Sequence, residues 1–119
     1  MNKWSEMSTV ERDALVAEKV MGWKDDPYHP SIYWQMDEAH FRSKEEFSPL
    51  TSISAAFEVV EKMIESGHCV KIDFNAGGSW QVEFQDFGPG GEIHAAQADE
   101  LPEAICLTAL KAVGVEIEP

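Results

Sequence analysis

The sequence predicts an α+β domain, in which an antiparallel β-sheet of three to five strands packs against α-helices. Two observations carry this prediction. Residues 51–67 space their apolar side chains as an amphipathic helix does, and residues 69–98 alternate apolar and polar side chains between glycine-containing turns. At 119 residues the chain is long enough to bury a hydrophobic core, so we expect a single domain over 1-119.

The central predicted helix is the stretch 51–67, TSISAAFEVVEKMIESG. Thr51 or Ser52 offers a hydroxyl oxygen to the free N–H groups of the first turn, and Gly67 permits the left-handed conformation that ends a helix. The apolar residues between them recur at helical spacing. This pattern predicts one buried stripe of side chains, made of Ile53, Ala56, Phe57, Val60, Met63 and Ile64.

One further helix is predicted on each side of the central one. Ser8 and Glu11 form a capping box at the start of a helix that should run to about Met21. The last helix is predicted over 99–114, with Asp99 as its cap. The buried stripe of the first helix should consist of Val10, Ala14 and Ala17, with Leu15, Val16 and Val20 alongside.

Three strands are predicted between the central and the last helix, over 69–74, 80–84 and 93–98. Alternate residues of the first two strands are apolar, which is typical of strands with one buried face. The turns are provided by Gly77-Gly78 and by the run from Gly88 to Gly91. Together these features predict an antiparallel meander with one apolar face.

The segment 24–50 is irregular and rich in aromatic residues. It holds five of the twelve aromatic rings of the chain, together with three prolines. A short strand is predicted over 32–36 and a single helical turn over 37–41. Because disordered loops contain few such rings, we expect the segment to fold onto the body of the protein or to contact a partner.

We place the candidate site for a ligand or partner in this aromatic segment. Tyrosine and tryptophan combine rigid apolar surface with a polar tip, as at protein contact sites and base-stacking pockets, and a nearby cation would suit an anionic ligand. The alternative interpretation is that Tyr33 and Trp34 only cover an end of the sheet. The candidate residues are Tyr28, His29, Tyr33, Trp34 and Arg42.

The sequence contains no catalytic, metal-binding or cofactor motif. No two of its four histidines have HxH or HxxxH spacing, and no nucleophile elbow occurs. Both glycine clusters join strand to strand, whereas a phosphate loop joins a strand to a helix. We therefore expect no catalytic residue, no metal and no cofactor. Cys69 and Cys106 lack CxxC spacing and are expected to be two buried, reduced thiols.

The formal net charge of the chain is −13 at pH 7. Binding to a phosphate backbone depends on Lys and Arg, so this charge argues against direct nucleic-acid binding and favours a basic protein partner. No apolar run is long enough to cross a bilayer, and the N-terminal residues include no apolar signal region. We therefore expect no membrane partner and a cytoplasmic location.

Three blocks of the chain together resemble the phage ABA sandwich domain, a family of small proteins from tailed phages and prophages of Firmicutes and related bacteria. The blocks are LVAEKVMGW (15–23), SISAAFEVVEKM (52–63) and LPEAICLTALKAVGV (101–115), and the strand from Trp80 to Phe84 resembles the W-x-V-x-F strand of the family. Similar sequences usually have P-S-T-D-I before the central helix, whereas here Ser52 replaces the capping Asp. The resemblance implies an α/β/α arrangement, with the sheet sandwiched by α-helices, and transfers no catalytic residue.

The resemblance also implies a phage-encoded protein that acts in the host bacterial cytoplasm. It favours a non-enzymatic binding protein that antagonises a bacterial host factor, such as an anti-defence inhibitor that binds a host protein or sequesters a signalling nucleotide. Proteins of this kind are often oligomeric, so a homo-oligomer is included among the expected partners. Two alternatives stay open: a small enzyme acting on a nucleotide, and a structural or housekeeping phage protein.

Overall fold

The computed structural model describes residues 2–87 and 90–118. Within these ranges the chain forms three α-helices, two three-stranded antiparallel sheets and one short parallel pair. The α+β class predicted from the sequence is therefore confirmed. In chain order the elements are β1 (Asn2–Lys3), α1 (Thr9–Lys19), β2 (Lys24–Asp25), β3 (Tyr33–Gln35), β4 (Phe41–Ser43), α2 (Ile53–Glu65), β5 (His68–Phe74), β6 (Trp80–Asp86), β7 (Ile93–Ala98), α3 (Leu101–Ala112) and β8 (Ile117–Glu118).

The main sheet has the strand order β5-β6-β7, as predicted for a meander. Val82 lies opposite Ile72 on one side and Ala96 on the other, so these side chains share the face on which α2 and α3 pack. Thr108 of α3 is fully buried there, and its hydroxyl donates a hydrogen bond to the Val82 carbonyl at 3.1 Å. The other face of the sheet carries mostly polar side chains. At the β7 edge of the sheet, Lys111 Nζ donates a hydrogen bond to the Ala95 carbonyl at 2.7 Å.

The second sheet, with the order β2-β3-β4, lies in the segment that was predicted to be irregular. The predicted strand over 32–36 is confirmed as β3. The helical turn predicted over 37–41 is wrong, because residues 36–40 connect β3 to β4: the Met36 N–H donates to the His40 carbonyl at 2.9 Å. Asp37 explains the difference, since its carboxylate accepts the Ala39 N–H at 2.8 Å and so competes with helical hydrogen bonding.

Helix α2 buries a different stripe from the predicted one. Ser52 caps it as predicted, accepting the Ala55 N–H at 3.3 Å, and Gly67 follows its end with φ of 94°. The buried side chains are Ala55, Ala56, Val59, Val60 and Met63. The prediction was wrong for three residues that remain exposed, which we call the apolar flank of α2: Ile53, Phe57 and Ile64.

The reason for this difference is the width of the apolar arc of α2. Including the alanines, apolar residues cover about 200° of the helix circumference, at about 100° per residue. The spacing of apolar residues predicts which arc of a helix is apolar, but it does not predict which part of that arc packs against the core. α3 and β5 cover only one side of the arc, so Phe57 is left 42% exposed.

Two other helix details differ from the sequence prediction. Val10 lies on the outer side of the first turn of α1 and is 77% exposed, so it does not belong to the buried stripe that Ala17 helps to form. The cap of α3 is Glu100 rather than Asp99, and its side chain makes no capping hydrogen bond. Pro102 at the start of α3 lacks an N–H, which reduces the need for a side-chain cap.

The two ends of the described chain meet beside α3. β1 and β8 form a parallel pair, and Trp4 is buried, with its indole N–H donating to Glu103 at 2.9 Å. Glu103 also pairs with Arg12 of α1 at 3.3 Å. The turn predicted from Gly88 to Gly91 falls partly outside the described residues, which omit 88 and 89.

The two cysteines differ in exposure. Cys106 of α3 is fully buried and free, and its burial raises the pKa of its thiol well above the usual value. Cys69 is also free, but it is exposed on the polar face of β5, so the prediction of two buried thiols was wrong for this residue. Strand alternation accounts for the difference, because Cys69 precedes the inward-facing Val70.

Two valines provide a matched test of the core assignment. Val59 has no exposed surface, so Val59→Ala should lower the free energy of unfolding by about 2–3 kcal/mol through lost burial and a cavity. Val10→Ala, at an exposed site, should change it by less than about 0.5 kcal/mol. Equilibrium urea unfolding measures both, and equal effects of the two substitutions would contradict the assignment.

Candidate functional site

The five predicted site residues do not form one site. Successive side chains of a strand point to opposite faces, and β3 therefore divides them. Tyr33 points outward, while Trp34 points inward and is 3% exposed. Arg42 of β4 lies directly opposite Trp34 of β3, so its side chain is on the same inward face. Tyr28 and His29 precede β3 and lie on the exposed side.

The exposed side of the second sheet and the loop beside it form what we call the aromatic surface, made of Tyr28, His29, Tyr33 and Phe41, of which Phe41 was not singled out from the sequence. Tyr28 is 85% exposed, and the His29 and Tyr33 rings meet edge-on with centroids 6.1 Å apart. Strand register places Phe41 opposite Gln35, beside Tyr33 on the same face. Ile32 and Met36 are also exposed, but strand alternation and their pairing with Lys44 and His40 place them on the same face as Trp34.

Hydrogen bonds of Asp26 and His29 hold the loop that leads into this surface. Asp26 is 4% exposed, and its carboxylate accepts the His29 N–H at 2.9 Å. The His29 carbonyl in turn accepts the N–H groups of Ile32 and Tyr33, both at 3.1 Å. The loop is therefore a folded turn, and it presents Tyr28 in a defined position.

The inward face of the second sheet is fixed by charge and ring contacts. Arg42 makes a two-bond ion pair with Glu58 of α2, in which Nη2 donates to Oε2 at 2.7 Å. The bond to Glu58 raises the pKa of Arg42 above its usual value. Beside it the rings of Trp23 and Phe47 pack edge-on with centroids 4.7 Å apart. Arg42 is thus already paired within the fold.

A cleft of about 500 Å³ lies between α1 and the second sheet. Lys44 Nζ sits over the Trp34 ring at 4.1 Å from its centroid and pairs with Asp25 at 2.6 Å. Two carboxylates, Asp13 and Glu45, also line the cleft, so it offers little net positive charge to a phosphate. The lining residues are Val10, Asp13, Ala14, Ser31, Trp34, Lys44, Glu45, Phe47 and Ser48.

Asp13 is the cleft residue whose protonation the fold changes. Burial raises the pKa of its carboxyl, although the Leu50 N–H donates to it at 3.0 Å and lowers the pKa. Sequence reasoning missed this residue and the cleft, because the cleft depends on where α1 meets residues 44–48. The one local signal was a carboxylate placed between Val10 and Ala14, two residues of the predicted apolar stripe.

The four histidines each pair with a carboxylate close in sequence or across a strand. The pairs are His29 with Asp26, His40 with Asp37, His68 with Asp86 and His94 with Glu92. Neither His29 nor His40 lines the cleft. Among the residues that the structure describes, no group of three His, Cys, Asp or Glu side chains could hold a metal ion.

The burial of Trp34 makes its contribution to stability testable. Trp34→Ala should lower the free energy of unfolding by about 3–5 kcal/mol, because it removes a ring enclosed by Lys44 and the core. Tyr28→Ala removes an exposed ring and should change it by less than about 0.5 kcal/mol. Urea unfolding followed by circular dichroism gives both values. An unchanged stability of the Trp34 variant would contradict the inward placement of the ring.

The raised pKa of Asp13 predicts a pH dependence of stability. Below the usual pKa of 3.8 the carboxyl is protonated in both folded and unfolded chains and has no effect. As the pH rises through the folded pKa, ionisation is less favourable in the folded state, so stability is lost. Asp13→Asn should therefore gain stability relative to the original protein as the pH rises from about 4 to 7. Urea unfolding across this range tests the sign, and a falling difference would contradict it.

Comparison with known proteins adds a family to this geometry. None of the helices in the described ranges is long and apolar enough to span a membrane. No curated protein and no solved structure matches the chain. The sequence model of one family, the phage ABA sandwich domain, matches residues 14–110, which include all three helices in whole or in part and both sheets. The chain therefore belongs to the phage ABA sandwich domain family.

Proposed function

We propose that this chain is a phage-encoded, non-enzymatic binding protein that antagonises a bacterial host factor in the host cytoplasm, acting as an anti-defence inhibitor. The target is a host protein, and the binding region is the aromatic surface. The observation that carries the proposal is the exposure of three aromatic rings, Tyr33 and Phe41 on the outer side of the second sheet and Tyr28 in the loop that precedes it. Aromatic residues of this kind provide most of the binding energy at many protein interfaces.

The aromatic surface is held rigidly, which favours binding. Its strands are anchored from behind by Trp34 and by the ion pair between Arg42 and Glu58. Side chains that are already ordered lose less conformational entropy when a partner docks. The second sheet can therefore present Tyr33 and Phe41 without a large rearrangement.

The charge around this surface indicates the chemistry of the target. Asp37 and Glu38 lie exposed in the connection between β3 and β4. The Ala39 N–H and the His40 side chain lower the pKa of Asp37, so its negative charge persists in mildly acidic solution. With a net charge of −13, the protein suits a target whose contact area is apolar at the centre and basic at the rim.

The absence of catalysis is part of the proposal, and the placement of the histidines supports it. An enzyme acting on a nucleotide would need titratable groups that converge on one pocket with shifted pKa values. His29 and His40 pair with separate carboxylates, and neither lines the cleft. A structural or housekeeping role would not require the exposed rings of the aromatic surface.

A second candidate is a signalling nucleotide sequestered in the cleft. Its volume of about 500 Å³ is in the range of small-molecule sites. The ring of Trp34 and the ammonium of Lys44 would be the contacts for a base and a phosphate. Asp13 and Glu45 oppose phosphate binding, and Asp25 already neutralises Lys44, so we favour the protein target.

Site-specific photocrosslinking in bacteria tests the protein target. A photoreactive phenylalanine analogue at Tyr28 should capture one host protein, whereas the same analogue at Gln85, exposed in β6 on the main sheet, should not. The captured protein is then purified and its affinity measured by calorimetry. Tyr28→Ala combined with Phe41→Ala should weaken binding at least tenfold. Added salt should also weaken binding, because the contact is charged.

Native mass spectrometry of the gently purified protein distinguishes the second candidate. A retained nucleotide-sized mass that is lost in Lys44→Ala, together with no crosslink at Tyr28, would replace the protein target by a nucleotide. Equal crosslinking at Tyr28 and Gln85, or an affinity unchanged by the double substitution, would overturn the role of the aromatic surface.

A further inference from the structure

The free edge of β5 has a defined hydrogen-bonding pattern. β5 lies at the margin of the main sheet and pairs only with β6 among the described strands. The Asn75 N–H donates to the Ser79 carbonyl at 2.8 Å, and the Phe87 N–H donates to the Gly67 carbonyl at 3.0 Å. Odd-numbered residues of this strand therefore bond toward β6. Because bonding direction alternates, the N–H and C=O groups of Val70, Ile72 and Phe74 point to the free edge.

The apolar flank of α2 borders the same side of the molecule. α2 packs on β5 and α3, while Glu58 on its opposite side bonds to Arg42 of the second sheet. On the helix circumference the buried face separates Glu58 from the flank, which comprises Ile53, Phe57 and Ile64. The flank therefore lies away from the second sheet and beside the free edge. Phe74, at the end of β5, is 60% exposed and adds to this apolar border.

We propose that a second copy of this chain binds here, with β5 pairing antiparallel to β5 of its partner around a two-fold axis at Ile72. The two main sheets then form one six-stranded sheet, and the apolar flanks of the two α2 helices meet above it. In this register Ile72 lies opposite Ile72 and Val70 opposite Phe74 of the other copy. These residues have free edge groups, so both kinds of pair can exchange backbone hydrogen bonds.

The charges of β5 favour this register over the two adjacent ones. Lys71 and Asp73 point to the polar face of the sheet, where they lie 3.5 Å apart in one chain. An axis at Ile72 places Lys71 of each copy directly opposite Asp73 of the other. These are non-hydrogen-bonded pairs, in which the opposing side chains lie closer together. An axis at Lys71 or Asp73 would set like charges opposite each other. A register shifted by one residue would place the apolar side chains of one copy opposite polar side chains of the other.

The inference does not depend on the proposed host target. The aromatic surface lies on the second sheet, and the dimer contact uses α2 and β5 of the main sheet. Both can be occupied at once, and each can fail without the other. A two-fold axis also buries the same patch on both copies, so no further copy can add at that edge.

Charge-swapped variants test the register. The original protein should sediment at about twice its chain mass of 13.3 kDa at roughly 100 μM, where a micromolar contact is populated. Lys71→Asp and Asp73→Lys alone each place like charges opposite each other and should weaken the dimer at least tenfold. Mixed together, these two variants should form a one-to-one heterodimer, because each then meets its complement. Circular dichroism confirms that each variant is folded.

The apolar flank has its own test. Phe57→Glu changes an exposed side chain and should leave a folded monomer, whereas Glu61→Gln, at an exposed polar position of the same helix, should leave the dimer intact. A monomeric original protein, or a mixture of the charge-swapped variants that stays monomeric, would overturn the proposal. A dimer that survives Phe57→Glu would overturn the contact between α2 helices.

Discussion

The ion pair between Arg42 and Glu58 is the contact on which the outer half of the molecule depends. It joins β4 of the second sheet to α2 of the main layer through two hydrogen bonds, and the guanidinium lies 5.8 Å from the centroid of the Trp23 ring. The fixed fork of an arginine sets direction as well as distance. Since desolvation offsets much of the attraction in a partly buried pair, we attribute to it the orientation of the sheet rather than a large stabilisation. The burial of Trp34 and the outward presentation of Tyr33 both follow from that orientation.

The elements with clear periodicity could be predicted from the sequence, and their contacts could not. Alternation in β5 and β6 and helical spacing in α2 are local properties, so the α+β class and the meander followed from them. Which part of an apolar arc is covered depends on neighbours, and Phe57 was misplaced for that reason. The turn at Asp37 was missed because a side-chain hydrogen bond, and not a propensity, decides it. Cys69 was misplaced although the alternation that exposes it is visible in the sequence.

The candidate site shows the same division between residue type and geometry. Aromatic composition correctly marked 24–50 as a folded segment, but it contained no information on which rings face outward. The register of β3 against β4 decides that Trp34 supports the fold while Tyr33 and Phe41 remain accessible. The cleft could not be foreseen at all, because its walls come from α1 and from residues distant in the chain, such as Ser48, which lies 35 positions after Asp13.

The two margins of the main sheet are unequal in their ability to template further strands. At β7, the ammonium of Lys111 already occupies the outward carbonyl of Ala95, at 2.7 Å. A positive charge held against an edge carbonyl removes an acceptor that an incoming strand would need, and it repels the same lysine on the β7 edge of another copy. The fold therefore hinders strand addition at the β7 margin, whereas the β5 margin is open to the self-limiting contact that we propose.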